Sequence, residues 1–551
     1  MSSESELAAL SSRLDKLYEY ERAPVTDDKL HDGRKFAGLF AGEHVAATEF
    51  VIGAMFVKHG IEAGDLLLGL LIGNFLAVLS WALVCAPIAV RVRLTLYWYL
   101  RRIAGPGLTV AYNIVNAVLY CILAGAMIAV SASAVSLAFN VTHPQLQDVL
   151  PNSAGWVLVV LLVGAVVITL AILGFKKLAD FASVCSPWML LVFVAGAIAT
   201  LPRLGELHSL SELWTIAETK IWTGVPEQGQ EKLGVWHVVF FAWFCNLAMH
   251  VCLSDLALFR YARRWTYGFY SAFGMYLGHF LAWVCAGIMG ATVVGLNPGQ
   301  MADNAVGFAG AIAVVIAGWT TANPTMYRAG LALQIATPDW ARWKVTLVAG
   351  LATTIVACFP VFFMRLLDFV AIYGIVLMPI GAVVFAEHWL FPKLGLVRYW
   401  AEKRGLMVNA PALITWIVTL AACYGMGYVG LHLFFRWLPG WFIAVILYIV
   451  LCYVIPRTGR GLDAAEVASA STAPADPTRK ERRTTRGGGL SRLFAAVALA
   501  ALIACLLLPL RVFFGSPDTY DADMASFKAW FLVATVVYFF SAVAFVARRR
   551  R

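Results

Sequence analysis

Apolar runs of membrane-spanning length recur along almost the whole chain, and this patterning constrains the fold more than any other feature. A hydrocarbon layer takes about 20 apolar helical residues to cross. Runs of that length lie at roughly 36–58, 65–90, 108–139, 154–174, 181–201, 236–256, 267–296, 306–335, 343–363, 366–390, 410–434 and 437–455, with two more near 491–513 and 526–547. With 61% hydrophobic residues and 13% charged over 551 positions, the chain reads as an all-α polytopic membrane protein of about 14 helices.

The charges fall where topology needs them. Arg91, Arg93, Arg101 and Arg102 follow the second run, Lys176 and Lys177 the fourth, Arg260, Arg263 and Arg264 the sixth, and Arg342 and Lys344 the eighth. The intervening stretches 140–153 and 297–305 hold no Lys or Arg, and 202–235 is acid-rich. The positive-inside bias predicts a cell-membrane protein with both termini in the cytoplasm. A net charge of +10 is then a matter of orientation and does not point to nucleic acid. All ten cysteines sit inside apolar runs with no CxxC, so they read as packing residues, not disulfides or metal ligands. Residues 1–35 are polar, without a cleavable signal, and Glu6 to Arg22 is at most a surface helix. The composition predicts a twelve-helix core at 36–455, a flexible basic linker at 456–490 and an appended two-helix segment at 491–551.

Three apolar segments carry groups that lipid cannot satisfy. In the eighth, Gly318 to Leu333 reads GWTTANPTMYRAGLAL. Pro324 has no N–H, so the Thr320 carbonyl loses its helical partner beside the hydroxyls of Thr320 and Thr321. Hard oxygens of this kind suit a small cation such as Na⁺ if a neighbouring segment completes the shell. Taken alone, the stretch reads most simply as a kinked helix whose threonines bond back to their own backbone. The first segment carries Glu43, His44 and Glu49 at a depth where ionisable groups are expensive and usually functional. On an unbroken helix the two carboxylates would lie roughly 120° apart; Gly42 and the Ala46, Ala47 pair make a break easy. The sixth holds Trp243, Phe244, Asn246 and His250, a mixture suited to stacking and hydrogen-bonding a flat heterocycle. For His44 and His250 the simpler reading is a hydrogen-bonded packing histidine.

The eighth segment, WTTANPTMYRAGLAL, resembles the corresponding motif of the nucleobase:cation symporters of the purine and cytosine permease type. GIEAGDLLLGLLIGN at 60–74, RRIAGPG at 101–107 and LLDFVAIYGIVLMPIGAVVFAEHWLF at 366–391 are similar to that family's entry to helix two, turn before helix three and helix ten. The resemblance implies two inverted five-helix repeats of the LeuT-like kind, about 36–201 and 236–390, with helices one and six broken at the midplane. It implies sodium ligands at Thr320 and Thr321, the Ala317 carbonyl, and carbonyls of the broken first helix around Ala46 and Glu49. Substrate would lie among helices one, three, six, eight and ten, against Glu49, Tyr120, Phe244, Asn246 and Asn323, with Tyr120 replacing the stacking ring of relatives.

The function expected is cation-coupled uptake of a small nitrogen heterocycle, such as a purine, pyrimidine, hydantoin or related vitamin, by alternating access. The polarity of Glu43, His44 and Glu49 leaves open proton coupling or a cationic, amine-bearing substrate. A non-transporting sensor on the same scaffold is a further alternative. No Ser-His-Asp set, metal-spaced His/Cys cluster or phosphate-binding loop stands out, so neither an enzyme nor a cofactor beyond Na⁺ or H⁺ is expected.

Overall fold

The computed structural model describes residues 19–144, 148–207, 209–292, 297–361, 366–455 and 489–549. The surface helix expected from Glu6 lies outside them as far as residue 18, as does the expected linker as far as 488.

The apolar runs fold as helices close to the expected limits. The second span is Ala63–Val92, the third Pro106–Ala138, the fourth Ala154–Ile172 and the fifth Phe175–Thr200. The seventh is Trp265–Gly290, the eighth Phe308–Leu333, the ninth Arg342–Ala357 and the tenth Leu366–Phe385. Ala410–Tyr428 and Trp437–Val454 are the eleventh and twelfth; Gly489–Phe513 and Tyr520–Arg549 are the last pair. Among the described residues ten helices are long and apolar enough to cross a membrane, or eleven counting one bent pair. The sixth, eighth and ninth segments fall short of that measure. The sixth is interrupted, the eighth carries its polar motif, and the ninth has only 16 helical residues.

The first segment is the bent pair. Gly33–His44 and Thr48–Lys58 meet at 54° across Val45, Ala46 and Ala47. All three of these residues are buried. Backbone freed from a helix is tolerated at membrane depth only where protein or a cavity receives it. The sixth segment is broken as well: Val235–Phe244 stops at Cys245 and Asn246, and one turn, Leu247–His250, resumes before a non-helical stretch to Asp255.

Packing brings the breaks together. The eighth span lies along the third, the second pairs with the first half of the sixth, and the seventh pairs with the second half of the first. Small residues permit two close approaches. A Cβ at Gly318 would meet the Ser131 hydroxyl at 1.9 Å, and one at Gly278 would stand 2.2 Å from the His44 carbonyl oxygen beside the break. Outward faces carry exposed Leu68, Leu71, Phe75, Leu158, Leu162, Leu351 and Ile355, the surface expected against lipid. The last two helices pack on each other and on the fifth span, where Trp188 Nε1 donates to Thr535 Oγ1 at 2.9 Å and Tyr538 Oη to the Val184 carbonyl at 2.6 Å.

Candidate functional site

A cavity opens where the two broken segments face the third, seventh, eighth and tenth spans. Its volume open to the centre of a water molecule is about 70 Å³. Its walls combine Glu43, His44, Ala46 and Glu49 of the first segment, Asn246 of the sixth, His279 of the seventh, Thr321 and Thr325 of the eighth, and Tyr373 of the tenth.

Thr321 joins the eighth span to the broken first segment. Its hydroxyl lies 2.9 Å from the Glu43 carbonyl oxygen and 3.1 Å from that of Ala317. Thr320 is buried, its hydroxyl donating to the same Ala317 carbonyl at 3.0 Å and lying 3.9 Å from the Met189 sulfur. Two hydroxyls and two carbonyls therefore converge. This hard-oxygen donor set fits a small monovalent or divalent cation. The first-segment carbonyl in contact is that of Glu43; the Ala46 carbonyl accepts the Glu49 amide at 3.2 Å.

The Glu49 carboxylate meets the seventh span. It accepts a hydrogen bond from Trp283 Nε1 and lies 3.9 Å from His279 Nε2, and among the described residues no Lys or Arg pairs with it. The seventh span widens into a π-helical stretch at Phe273–Leu281, a deviation frequent at functional sites, and His279 lies on it. Asn246 Nδ2 is 3.3 Å from His279 Nε2, so the break in the sixth segment and the seventh span meet at one imidazole. His44 Nδ1 bonds the Phe40 carbonyl at 2.8 Å, and its ring centroid lies 5.3 Å from that of His279. His250 Nε2 bonds the Trp243 carbonyl at 3.0 Å.

Glu43 is locked in a buried ion cluster. Its carboxylate receives both terminal nitrogens of Arg328, at 2.6 and 3.2 Å, and Arg328 also bonds Asp255, which accepts Trp81 Nε1 at 2.6 Å. One guanidinium faces two carboxylates, all essentially inaccessible to solvent. The excess negative charge favours a cation nearby. Arg328 was not singled out from sequence, although an arginine inside an apolar span is itself the signal of a functional position. Its partners, 285 and 73 positions away, could not be read from spacing.

The remaining sequence-derived residues sit behind the walls. Tyr120 is fully buried and meets Tyr373 edge-on at 5.5 Å between centroids. Phe244 packs on Phe241 and Phe434. Asn323 is buried on the eighth span with both amide atoms unpartnered within the protein. Of the walls, His279, Thr325 and Tyr373 were not picked out from the sequence. Each is an ordinary residue of an apolar span until the fold faces it inward.

Residues preceding the first helix are tied to the stretch after the sixth segment and to the eighth span. Arg260 Nη1 donates to the Tyr20 carbonyl at 2.6 Å and Nη2 to Tyr327 Oη at 3.0 Å, while Tyr261 and Tyr327 both reach the Glu19 carboxylate, at 2.7 and 3.1 Å.

No family model and no curated protein matches the sequence. Solved structures do. Mhp1, a nucleobase-cation-symport-1 family transporter in a closed conformation with bromovinylhydantoin bound, is 16% identical, with 82% of this chain and 98% of that chain covered at a TM-score of 0.63. Mhp1 in its inward-facing conformation is 14% identical, with 83% and 100% covered at 0.63. A Na⁺-coupled sialic acid symporter in a substrate-bound outward-open state is 14% identical, with 83% and 98% covered at 0.57. The chain thus has the fold of these symporters, an all-helical multi-pass membrane architecture spanning nearly their whole length.

Proposed function

We propose that this protein is a cation-coupled secondary transporter, not an enzyme, that takes a small nitrogen heterocycle into the cell by alternating access, with sodium as the coupling ion. The observation that carries the reading is the contact of the Thr321 hydroxyl with the Glu43 carbonyl beside a cavity walled by both broken segments. The fold-level likeness to Mhp1 and to a Na⁺-coupled symporter supports it.

In this reading the core is 36–455, with inverted repeats at about 36–201 and 236–390 and both termini cytoplasmic. The packing supports the repeats: exchanging the first segment for the sixth and the second for the seventh maps one observed pairing onto the other, and the third on the eighth onto itself. Sodium bound by Thr320, Thr321 and the Glu43 and Ala317 carbonyls would bridge the eighth span to the first segment. It would favour the conformation in which substrate enters, and sodium and substrate would raise each other's affinity by the same factor. A planar substrate would take hydrogen bonds from Asn246 and His279 and offer N–H groups to Glu49, with Tyr373 as an aromatic wall.

A second reading rests on Glu49 alone. A buried carboxylate on a cavity, with the His279 imidazole 3.9 Å away and no Lys or Arg paired with it among the described residues, calls for a proton, a metal ion or a positively charged substrate to neutralise it. Uptake in proteoliposomes separates the two. With sodium coupling, Thr321→Ala weakens sodium stimulation by about tenfold or more, the cost of about 1.4 kcal/mol at the ion site, while the protein still folds. Uptake driven by a pH gradient without sodium, and abolished in Glu49→Gln, would establish proton coupling instead. Unaltered sodium dependence in Thr321→Ala would overturn the cation assignment.

A further inference from the structure

Where the first segment finishes at Lys58, three side chains distant in sequence come together. One ligand atom from each of Glu231, His237 and His432 lies within 4.8 Å of the other two. His432 Nε2 and the Glu231 carboxylate are 3.9 Å apart. We propose that Glu231, His237 and His432 form a binding site for a divalent ion of the zinc class, independent of the central cavity.

The three positions are held by their surroundings before any ion arrives. The loop carrying Glu231 is tied to the end of the first segment: the Leu233 amide donates to the His59 carbonyl at 3.1 Å, the Glu227 amide to that of Lys58 at 2.8 Å, and His59 Nδ1 bonds the Glu231 carbonyl at 2.8 Å. His237 and His432 meet edge-on with ring centroids 4.8 Å apart, and His237 also packs on Phe435 at 4.9 Å. Two imidazoles and one carboxylate leave a coordination position to water, the composition of an open zinc site; calcium and magnesium prefer sites of oxygen alone.

The hydrogen bonds at the other ring nitrogens say what kind of site this is. His237 Nδ1 accepts the Gly234 amide at 3.2 Å and His432 Nδ1 accepts the Phe434 amide at 3.3 Å. Without metal, each neutral ring therefore carries its proton on Nε2. Coordination through Nε2 moves that proton to Nδ1 and gives up the backbone bond. The site fills and empties with ion concentration, unlike a permanently loaded structural zinc. Filling it ties the first half of the sixth segment to the connection between the eleventh and twelfth spans.

The test uses full-length, untagged protein stripped with a chelator and then titrated with zinc chloride. Elemental analysis after gel filtration is expected to give about one zinc per chain in wild type. His432→Ala and His237→Ala are expected to lose it, and Glu231→Gln to weaken it by roughly tenfold or more. Cobalt substitution should give the visible absorption of a four-coordinate centre, lost in the same variants. Calcium should not compete. Stoichiometric zinc in wild type that persists in both histidine variants, or no zinc retained at all, would overturn the proposal, and neither outcome bears on transport through the central cavity.

Discussion

Arg328 ties together segments that lie far apart in the chain. It links the first segment through Glu43 to the turn after the sixth segment through Asp255, and Trp81 of the second span completes the shell. Removing one member of a buried ion cluster leaves the others without compensation, whereas replacing all of them with neutral groups of similar shape costs much less. Arg328→Met is therefore expected to lose about 3–5 kcal/mol of stability. Adding Glu43→Gln and Asp255→Asn to the same chain should recover most of that loss, measured as thermal midpoints in detergent. An equal or greater loss in the triple variant would show that the cluster stabilises by packing and not by charge pairing. Glu43 and Glu49 were legible from sequence as unusual acids, but not their partners. One is neutralised by an arginine from the eighth span, and the other faces a tryptophan and a histidine from the seventh.

The helices themselves were largely legible, because spanning length and apolarity are local properties. The breaks were less so. Gly42 and the alanine pair hinted at the bend in the first segment; the interruption at Cys245 and Asn246 carries no glycine or proline and depends on what surrounds it. Pro324 reads as a kink inside a continuing helix, and the eighth helix does run from Phe308 to Leu333 through it; Thr325 Oγ1 donates to the Thr321 carbonyl at 2.7 Å, next to the Thr320 carbonyl that the proline leaves without an amide. The line of contact between the third and eighth spans depends on small residues. Gly318→Ala has to displace the Ser131 hydroxyl and also meets the Met127 carbonyl 2.8 Å away. It is expected to destabilise by about 1–3 kcal/mol. Ser131→Ala in the same chain should relieve part of the cost; no relief in thermal unfolding would place the strain on the backbone instead.

At the scale of the molecule, the last helix pair is part of the packing and not a loose appendage. Phe527, Phe531 and Tyr538 join Trp188, Met189 and Phe193 of the fifth span in one apolar core, and Tyr520 Oη donates to the Ala199 carbonyl at 3.1 Å. Deletion of 491–551 is expected to lower the thermal midpoint by several degrees while leaving substrate uptake in place, because no residue of the pair lines the central cavity. Loss of uptake in a folded, truncated protein would instead give the pair a part in the transport cycle. The sequence by itself determined the solvent of this protein, the approximate limits of most helices, and the segments whose polar groups lipid could not satisfy, since each follows from hydropathy and hydrogen bonding within one segment. Only the tertiary structure decided which partner each polar group received: Thr321 the Glu43 carbonyl, Glu43 the Arg328 guanidinium, Glu49 the Trp283 indole. The physical reason is that a buried charge or hydroxyl must find its complement somewhere in the protein, and in this chain the complement comes from a helix hundreds of residues away, brought close by packing that no local pattern encodes.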